Sequence, residues 1–214
     1  MARAGDPATG ASAARASGRD RILDAAEVLF AERGIDGATV SAITAASGAR
    51  NKSAVAYHFG SKLDLLEAVL ARHLTTLDRR RDAMLERLEH MSEPTLDDVA
   101  DALVLPVAVQ LDDPSGVRYL QIQASLLSYP RRASLPELLR DPGPRFARFG
   151  AQLRRVLGDR QMSPATGVLL TSLVFHGLAD FARTGAHTQL ERDEFVAALT
   201  AAVAGIIQRD VAPR

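Results

Sequence analysis

Residues 39–62 read TVSAITAASGARNKSAVAYHFGSK, with glycines at positions 48 and 60. Thr39 is a helix-capping residue, and a short helix is predicted after it over residues 40–47. Gly48 ends that helix, and a second short helix is predicted over residues 51–58. Helices of this length are unstable alone and must pack on a neighbour. Two short helices joined by a tight turn are typical of a helix-turn-helix, which presents its second helix to the major groove of DNA.

A longer helix before this stretch completes a three-helix unit. Residues 19–33 carry apolar side chains at helical spacing, and Gly34 follows them as a helix-ending residue. Residues 1–17 have no apolar period, so we expect a disordered N-terminal arm there. The small core of the three-helix unit is predicted to consist of Ile22, Ala26, Leu29, Phe30, Val40, Ile43, Ala46, Val55 and Phe59.

The remainder of the chain is predicted to be helical as well. Ser61 caps a long helix over residues 62–90. Further helices are predicted over residues 95–110, 117–128, 145–157, 164–183 and 191–209, with a loop over residues 112–116 and room for one short helix in the proline-rich stretch 130–144. No stretch alternates apolar and polar residues between turns, so no strand is predicted. We therefore expect an all-α fold of about nine helices, with a helix-turn-helix DNA-binding domain over residues 18–62 and a helical domain over residues 63–214.

The composition narrows the classes of function. The chain has 26 basic and 26 acidic residues and no cysteine. A net charge of zero argues against a protein that coats nucleic acid nonspecifically, but it permits a small sequence-reading element on a neutral body. The absence of cysteine excludes disulfides, cysteine-ligated metals and thiol catalysis.

Enzymatic and membrane functions are not indicated. The five histidines have no metal-ligand spacing, and no glycine-rich phosphate loop or nucleophile elbow is present. We expect no metal, no cofactor and no enzymatic activity; an α-helical enzyme remains the alternative, which turnover of a bound small molecule would reveal. The best apolar stretch, residues 167–182, is interrupted by His176 and Asp180, and no secretory signal is visible. We expect a cytoplasmic protein without membrane contact.

Several motifs resemble one family. They are the run RILDAA at residues 21–26, Leu29-Phe30, Gly34, Gly37, Thr39, Ile43, the run YHFGSK at residues 57–62, and Leu65-Leu66. Together they resemble the DNA-binding domain of the TetR family of transcriptional regulators, over about residues 19–70. The remaining chain matches that family in helix number, length and order. The segment from Gly48 to Tyr57 is one residue longer than the commonest family pattern, so the turn or the start of the third helix must absorb one residue.

DNA contacts are expected at both ends of the third helix and at the start of the second. The candidates are Thr39, Arg50, Asn51, Lys52, Ser53, Tyr57, His58 and Lys62. The four from 50 to 53 lie where helix N-terminal amides favour phosphate, and Arg, Lys and Asn side chains can read base edges. The other four resemble the family's contacts to the DNA backbone. The alternatives are solvated loop charges for Arg50 and Lys52, packing for Tyr57, and helix-end hydrogen bonding for His58.

The resemblance also implies a homodimer and an effector pocket. The dimer would form through the last two helices, with Leu170, Val174, Gly177, Leu178, Phe181, Phe195, Ala198, Leu199, Ala202 and Ile206 at the interface. The pocket would be lined by Tyr119, Gln123, Leu126, Phe146, Phe149, Phe175 and His176. The alternative for both sets is ordinary packing within one chain.

The hypothesis is a sequence-specific DNA-binding regulator. It would be a homodimeric repressor that an unidentified small-molecule effector releases from a palindromic operator. The alternative within the same fold is a helix-turn-helix protein that acts constitutively or through a protein partner. Operator binding that no metabolite changes would favour that alternative.

Overall fold

The computed structural model describes residues 17–49, 51, 53–130, 144–158, 162–185 and 187–210, with the backbone alone for residues 144–147. All regular structure in these parts is helical, which confirms the all-α prediction. The α-helices are α1 Gly18–Gly37, α2 Val40–Ala46, α3 Ala54–Phe59, α4 Lys62–His90, α5 Leu96–Ala108, α6 Pro114–Leu127, α7 Pro144–Leu157, α8 Pro164–Arg183 and α9 Gln189–Asp210, and a 3-10 helix covers Val109–Asp112. The predicted arm lies outside the described residues except for Ser17.

Reciprocal hydrogen bonds fix where several helices begin. At the start of α4, Ser61 Oγ accepts from the Asp64 amide at 3.1 Å, and Asp64 Oδ2 accepts from the Ser61 amide at 2.9 Å. Such a capping box satisfies two amides that lack helical partners. The same arrangement begins α1 at Ser17–Asp20 and α5 at Thr95–Asp98.

The first three helices form a small unit around an apolar core. Seven of the nine predicted core residues are buried or half-buried, namely Ile22, Ala26, Leu29, Phe30, Ile43, Val55 and Phe59. The prediction was wrong for Val40, which is 37% exposed, and for Ala46, which is also exposed. Within α2, the buried residues are Ile43 and Thr44.

Several helix boundaries differ from the predictions, among them the end of α1 and the start of α6. Helix α1 does not end at Gly34 but is kinked there, since Gly34 has φ of 69° and the helix resumes as far as Gly37. Helix α6 begins at Pro114 rather than after Gly116. Asp113 Oδ2 accepts from the Ser115 and Gly116 amides, both at 3.1 Å, so Asp113 is a helix cap and not part of a longer loop.

The long helix α4 connects the three-helix unit to the rest of the chain. Its 29 residues span about 44 Å at 1.5 Å per residue. It packs against α1 and α3 near its start and against α5 and α7 further along. Helix α1 also packs against α6, so the first three helices contact the following helices through two different elements.

Helix α8 is long and apolar enough, by length and composition alone, to cross a membrane. In the structure it packs against α6 and α9 and buries Leu170, Val174 and Leu178 in the common core. Packing within this chain buries about a third of its most apolar stretch, 33%.

Candidate nucleic-acid interface

Helix α2 is held by side chains of its own sequence. Thr39 Oγ1 accepts from the Ala42 amide at 3.2 Å and so caps the helix, as predicted from its residue type. At the other end Ser47 Oγ donates to the Thr44 carbonyl at 2.8 Å. Gly48 then takes a φ of 68°, which a residue with a side chain rarely adopts, and the chain turns towards α3.

Asn51 accepts hydrogen bonds that shape the chain just before α3. Asn51 Oδ1 accepts from both the amide and the hydroxyl of Ser53, at 2.9 and 2.7 Å, and the Ala54 amide donates to the Asn51 carbonyl at 3.0 Å. Helix α3 therefore starts at Ala54, three residues later than predicted. Apolar periodicity does not predict an Asx turn of this kind, because the turn depends on the side-chain amide of one polar residue.

This turn changes the expected role of Asn51. Reading adenine with two hydrogen bonds requires both the oxygen and the nitrogen of the side-chain amide. The oxygen already accepts two bonds from Ser53, so the nitrogen is the group left to face a partner. Arg50 and Lys52, which were predicted to lie beside it, are outside the described residues.

Tyr57 projects from α3 into solvent. It is 84% exposed, and its ring meets the His58 ring edge-on at a centroid distance of 5.0 Å. Val55, two residues earlier, is buried and anchors the helix. Packing within the chain therefore does not account for Tyr57, whereas a surface that lies against α3 would bury it.

Lys62 has a partner inside the chain. Its Nζ donates to the Ile35 carbonyl at 2.7 Å, across 27 residues of sequence. The bond ties the start of α4 to the end of α1, beyond the kink at Gly34. A phosphate contact by Lys62 would have to use its remaining N–H groups.

The start of α1 lies beside the end of α3, which the sequence did not indicate. The Arg19 guanidinium lies 4.9 Å from the centre of the Phe59 ring, and Gly18 adjoins His58. Arg19 is exposed, so its charge adds to the surface that carries Tyr57 and His58. This surface, formed by Arg19, Tyr57 and His58, is called the α3 surface below.

The comparisons with known proteins agree with this arrangement. Residues 22–69 match the family model described as bacterial regulatory proteins, tetR family. Two curated relatives from Pseudomonas putida, the HTH-type transcriptional regulator SrpR and the uncharacterized HTH-type transcriptional regulator TtgW, are each 41% identical over 71 residues. Residues 22–69 of the chain therefore resemble the TetR family of bacterial regulatory proteins. Members of this family are DNA-binding transcription factors rather than enzymes.

The likeness to the TetR-family relatives differs along the chain. The matched segment is 32% of this chain, 33% of SrpR and 52% of TtgW, so it spans a third to a half of the length of these relatives. Solved structures extend the likeness of fold. Mycobacterium smegmatis AmtR covers 94% of this chain and is itself covered to 90%, with 18% identity and a TM-score of 0.58. A TetR-family regulator structure from Shewanella sp. PV-4 covers 92%, is covered to 100%, and has 16% identity and a TM-score of 0.61.

Several of the residues predicted to line an effector pocket lie inside the helical body. Tyr119, Leu126 and Phe175 are buried. Gln123 Nε2 donates to the Tyr119 hydroxyl at 3.1 Å, and the Tyr119 and Phe175 rings meet edge-on at 6.3 Å. His176 lies 2.8 Å from Ser128 Oγ, Phe149 is half-buried, and the side chain of Phe146 is outside the described residues.

A cleft of about 640 Å³ lies elsewhere, between α5 and α9. Its walls include Asp97, Asp101 and Arg192 beside apolar residues of both helices. Burial and the neighbouring charges of Asp98 and Asp97 raise the pKa of Asp101. None of the predicted pocket residues lines this cleft.

Most of the predicted dimer residues pack within their own chain. Leu170, Val174, Leu178 and Leu199 are buried within the chain itself, and the predicted dimer interface stays a prediction. Phe181 stacks on Phe195 with ring centres 4.2 Å apart, and Gly177 faces Leu199 and Phe195. The apolar periodicity identifies residues that pack between α8 and α9. It does not distinguish this contact from a dimer interface, because both have the same apolar spacing.

Other apolar residues on the same two helices are accessible. Val168 is 68% exposed and Leu169 is 53% exposed on α8, and neither was predicted at an interface. On α9, Ala198 and Ala202 are exposed, and Ile206 is half-buried. These five residues are called the α8–α9 surface below.

Proposed function

We propose that this chain is a sequence-specific transcriptional regulator that binds DNA through α3. The observation that carries the proposal is the exposure of Tyr57, at 84%, on a helix anchored by buried Val55 and following the turn at Gly48. An exposed aromatic ring on a short projecting helix has no role in the core of this chain. Placed along a major groove, it would lie against the DNA backbone.

The polar groups around Tyr57 suit this role. The Tyr57 and His58 side chains and the Arg19 guanidinium can donate hydrogen bonds to phosphate oxygens. Thr39 and the Asn51 side-chain nitrogen lie at the start of α2 and in the turn before α3. Phosphate contacts of this kind position the protein, while base contacts from the turn and α3 supply specificity.

We propose that the regulator acts as a homodimer on a palindromic operator. The α8–α9 surface supports this, because Val168 and Leu169 are large apolar side chains exposed at consecutive positions of α8. The small residues Ala198 and Ala202 would allow close approach of a second chain. A two-fold dimer repeats the α3 helix once for each half of a palindrome.

We propose further that a small molecule releases this regulator, as a repressor, from its operator. The cluster of Tyr119, Gln123 and Phe175 supports an effector site, since it combines apolar rings with a hydrogen-bonded polar pair inside the helical body. An effector would act by binding better to a conformation in which the two α3 helices no longer match the operator. Because DNA is the partner, the proposed location is the cytoplasm.

Selection of bound sites from fragmented genomic DNA tests the DNA-binding proposal. Wild type is compared with Tyr57→Ala and with Tyr57→Phe, which keeps the ring and removes the hydroxyl. An enriched palindrome that Tyr57→Ala binds at least tenfold more weakly, at unchanged helical content, is expected. Tyr57→Phe separates the contribution of the hydroxyl from that of the ring. Wild type that enriches no site at low or moderate salt would contradict the proposal.

A further inference from the structure

A carboxylate is buried where the three-helix unit meets the following helices. Glu27, midway along α1, is 2% exposed. Its Oε1 accepts from Ser115 Oγ at 2.6 Å and from Arg118 Nε at 2.8 Å, both on α6. Its Oε2 lies 3.3 Å from His73 Nε2 on α4, with an Arg72 nitrogen at 3.8 Å. One oxygen is therefore bound to α6 and the other to α4.

The charge of Glu27 is retained in this environment. Burial raises the pKa of a carboxyl group, but hydrogen bonds from His73, Ser115 and Arg118 outweigh the burial and lower the pKa of Glu27 to about 2. The partners are themselves held in place. Arg72 also donates to Asp24 at 2.8 Å, and the His73 ring stacks on the Tyr119 ring at 4.8 Å.

Stability alone does not explain a charged group at this position. Replacing a buried ionic cluster by apolar side chains of similar volume is often neutral or stabilising. A carboxylate bound at both oxygens differs from an apolar contact because it specifies one orientation of the three elements that meet there. Glu27 lies on the helix that supports α2 and α3, while Ser115 and Arg118 lie 88 and 91 residues later on α6.

We infer that Glu27 is a positioning residue, which fixes the orientation of the three-helix unit on the rest of the chain and thereby the separation of the two α3 helices in the dimer. This inference rests on the proposed function. The separation matters only when both α3 helices bind one DNA molecule. If the orientation of the three-helix unit is not fixed, the unit still binds a single half-site as before. Only some conformers of the dimer then fit both halves of a palindrome.

The test uses three duplexes and matched variants. The first duplex is the palindrome that wild type selects, the second has one half scrambled, and the third has two base pairs inserted between the halves. Glu27→Gln keeps the shape of the side chain and removes its charge. Glu32→Gln is the control, because Glu32 lies on the same helix and is exposed.

Glu27→Gln is expected to bind the palindrome at least tenfold more weakly than wild type and the scrambled duplex within about twofold of wild type. The insertion is expected to weaken wild type more than Glu27→Gln, since a loosened unit adapts to the altered spacing. Arg118→Gln and Ser115→Ala, which change the α6 side of the same contact, are expected to show the same pattern. Glu32→Gln is expected to match wild type on all three duplexes.

Results other than these would refute either the positioning role of Glu27 or the proposed function. Folded Glu27→Gln with wild-type affinity and wild-type sensitivity to the insertion would refute the positioning role. Equal losses on the palindrome and the scrambled duplex would also refute it, because they indicate damage to the α3 surface itself. If Glu27→Gln does not fold, the same binding measurements on Arg118→Gln and Ser115→Ala test the positioning role by the same criteria. Wild type that selects no palindrome would contradict the proposed function rather than the role of Glu27.

Discussion

The buried carboxylate makes a quantitative prediction about stability and pH. Glu27 has a pKa of about 2 in the folded chain against an ordinary value of 4.5. A folded-state pKa below the unfolded value means that the ionised group stabilises the fold at neutral pH. That stabilisation is lost as pH falls below the unfolded pKa and through the folded one. The shift of about 2.5 units corresponds to about 3 kcal/mol in total.

Most of this loss falls in a range where the measurement is practicable. The same two pKa values give a loss of about 0.8 kcal/mol between pH 7 and pH 4, and of about 2 kcal/mol between pH 7 and pH 3. We expect urea unfolding of wild type and Glu27→Gln, measured from pH 7 to pH 3, to show a free-energy difference that shrinks by these amounts. Other carboxylates titrate in both proteins, so their contribution cancels in the difference.

Glu32→Gln provides the control for this experiment. Glu32 is exposed on the same helix, so its replacement is expected to leave the pH dependence unchanged. Curves for wild type and Glu27→Gln that stay parallel from pH 7 to pH 3 would refute the reasoning. They would mean that the Glu27 carboxylate gains no more from its partners in the folded chain than from water.

Three further predictions concern the dimer, a close contact and a lysine. Val168→Arg is expected to give a monomer in sedimentation velocity, because it places a charge on the α8–α9 surface. The control Ala71→Arg, at an exposed position on α4, is expected to leave the association unchanged. Equal behaviour of the two variants would mean that the dimer interface lies elsewhere. Gly116→Ala is expected to lower the free energy of unfolding by about 1–3 kcal/mol, since a Cβ there collides with the Gln110 backbone. In the control Gly150→Ala, the new Cβ contacts only the end of the Arg154 side chain, so this change is expected to be neutral or stabilising. Lys62→Met is expected to lower the free energy of unfolding by about 1–2 kcal/mol, because the hydrogen bond to the Ile35 carbonyl is lost. An unchanged melting temperature, together with a salt slope of DNA binding about one unit smaller, would instead mean that Lys62 contacts a DNA phosphate.

Local signals in the sequence predicted the helical elements well. Ser61 and Asp64 are three residues apart, and their capping bonds need no information from the rest of the chain. The start of α4 at Lys62 was therefore predicted correctly, and the helix ends at His90, about where the prediction placed its end. Where a local signal had two meanings, prediction failed: Asp113-Pro114 is typical of a turn, but here Asp113 caps α6 and Pro114 is its first residue.

The candidate DNA-binding site was predicted in part for the same reason. The cap at Thr39 follows from short-range pattern, whereas the sequence left Tyr57 open between a DNA contact and packing. The start of α3 does not follow from such a pattern, because it depends on two bonds that Asn51 Oδ1 accepts from Ser53. The intrachain bond of Lys62 joins residues 27 positions apart, which no periodic pattern contains.

The Glu27 contact shows most clearly why the relation between the two parts of the chain could not be predicted. Helical spacing places Glu27 in the buried stripe, four residues after buried Leu23 and three before buried Phe30. Its charge argues for the opposite face, because an ionised group is buried only with partners. The chain has 26 basic residues, and nothing local identifies Arg118 as the one that reaches α1. An acidic residue within an apolar stripe is therefore the sequence signal of a contact between distant elements, and its partners are found only once the helices are packed.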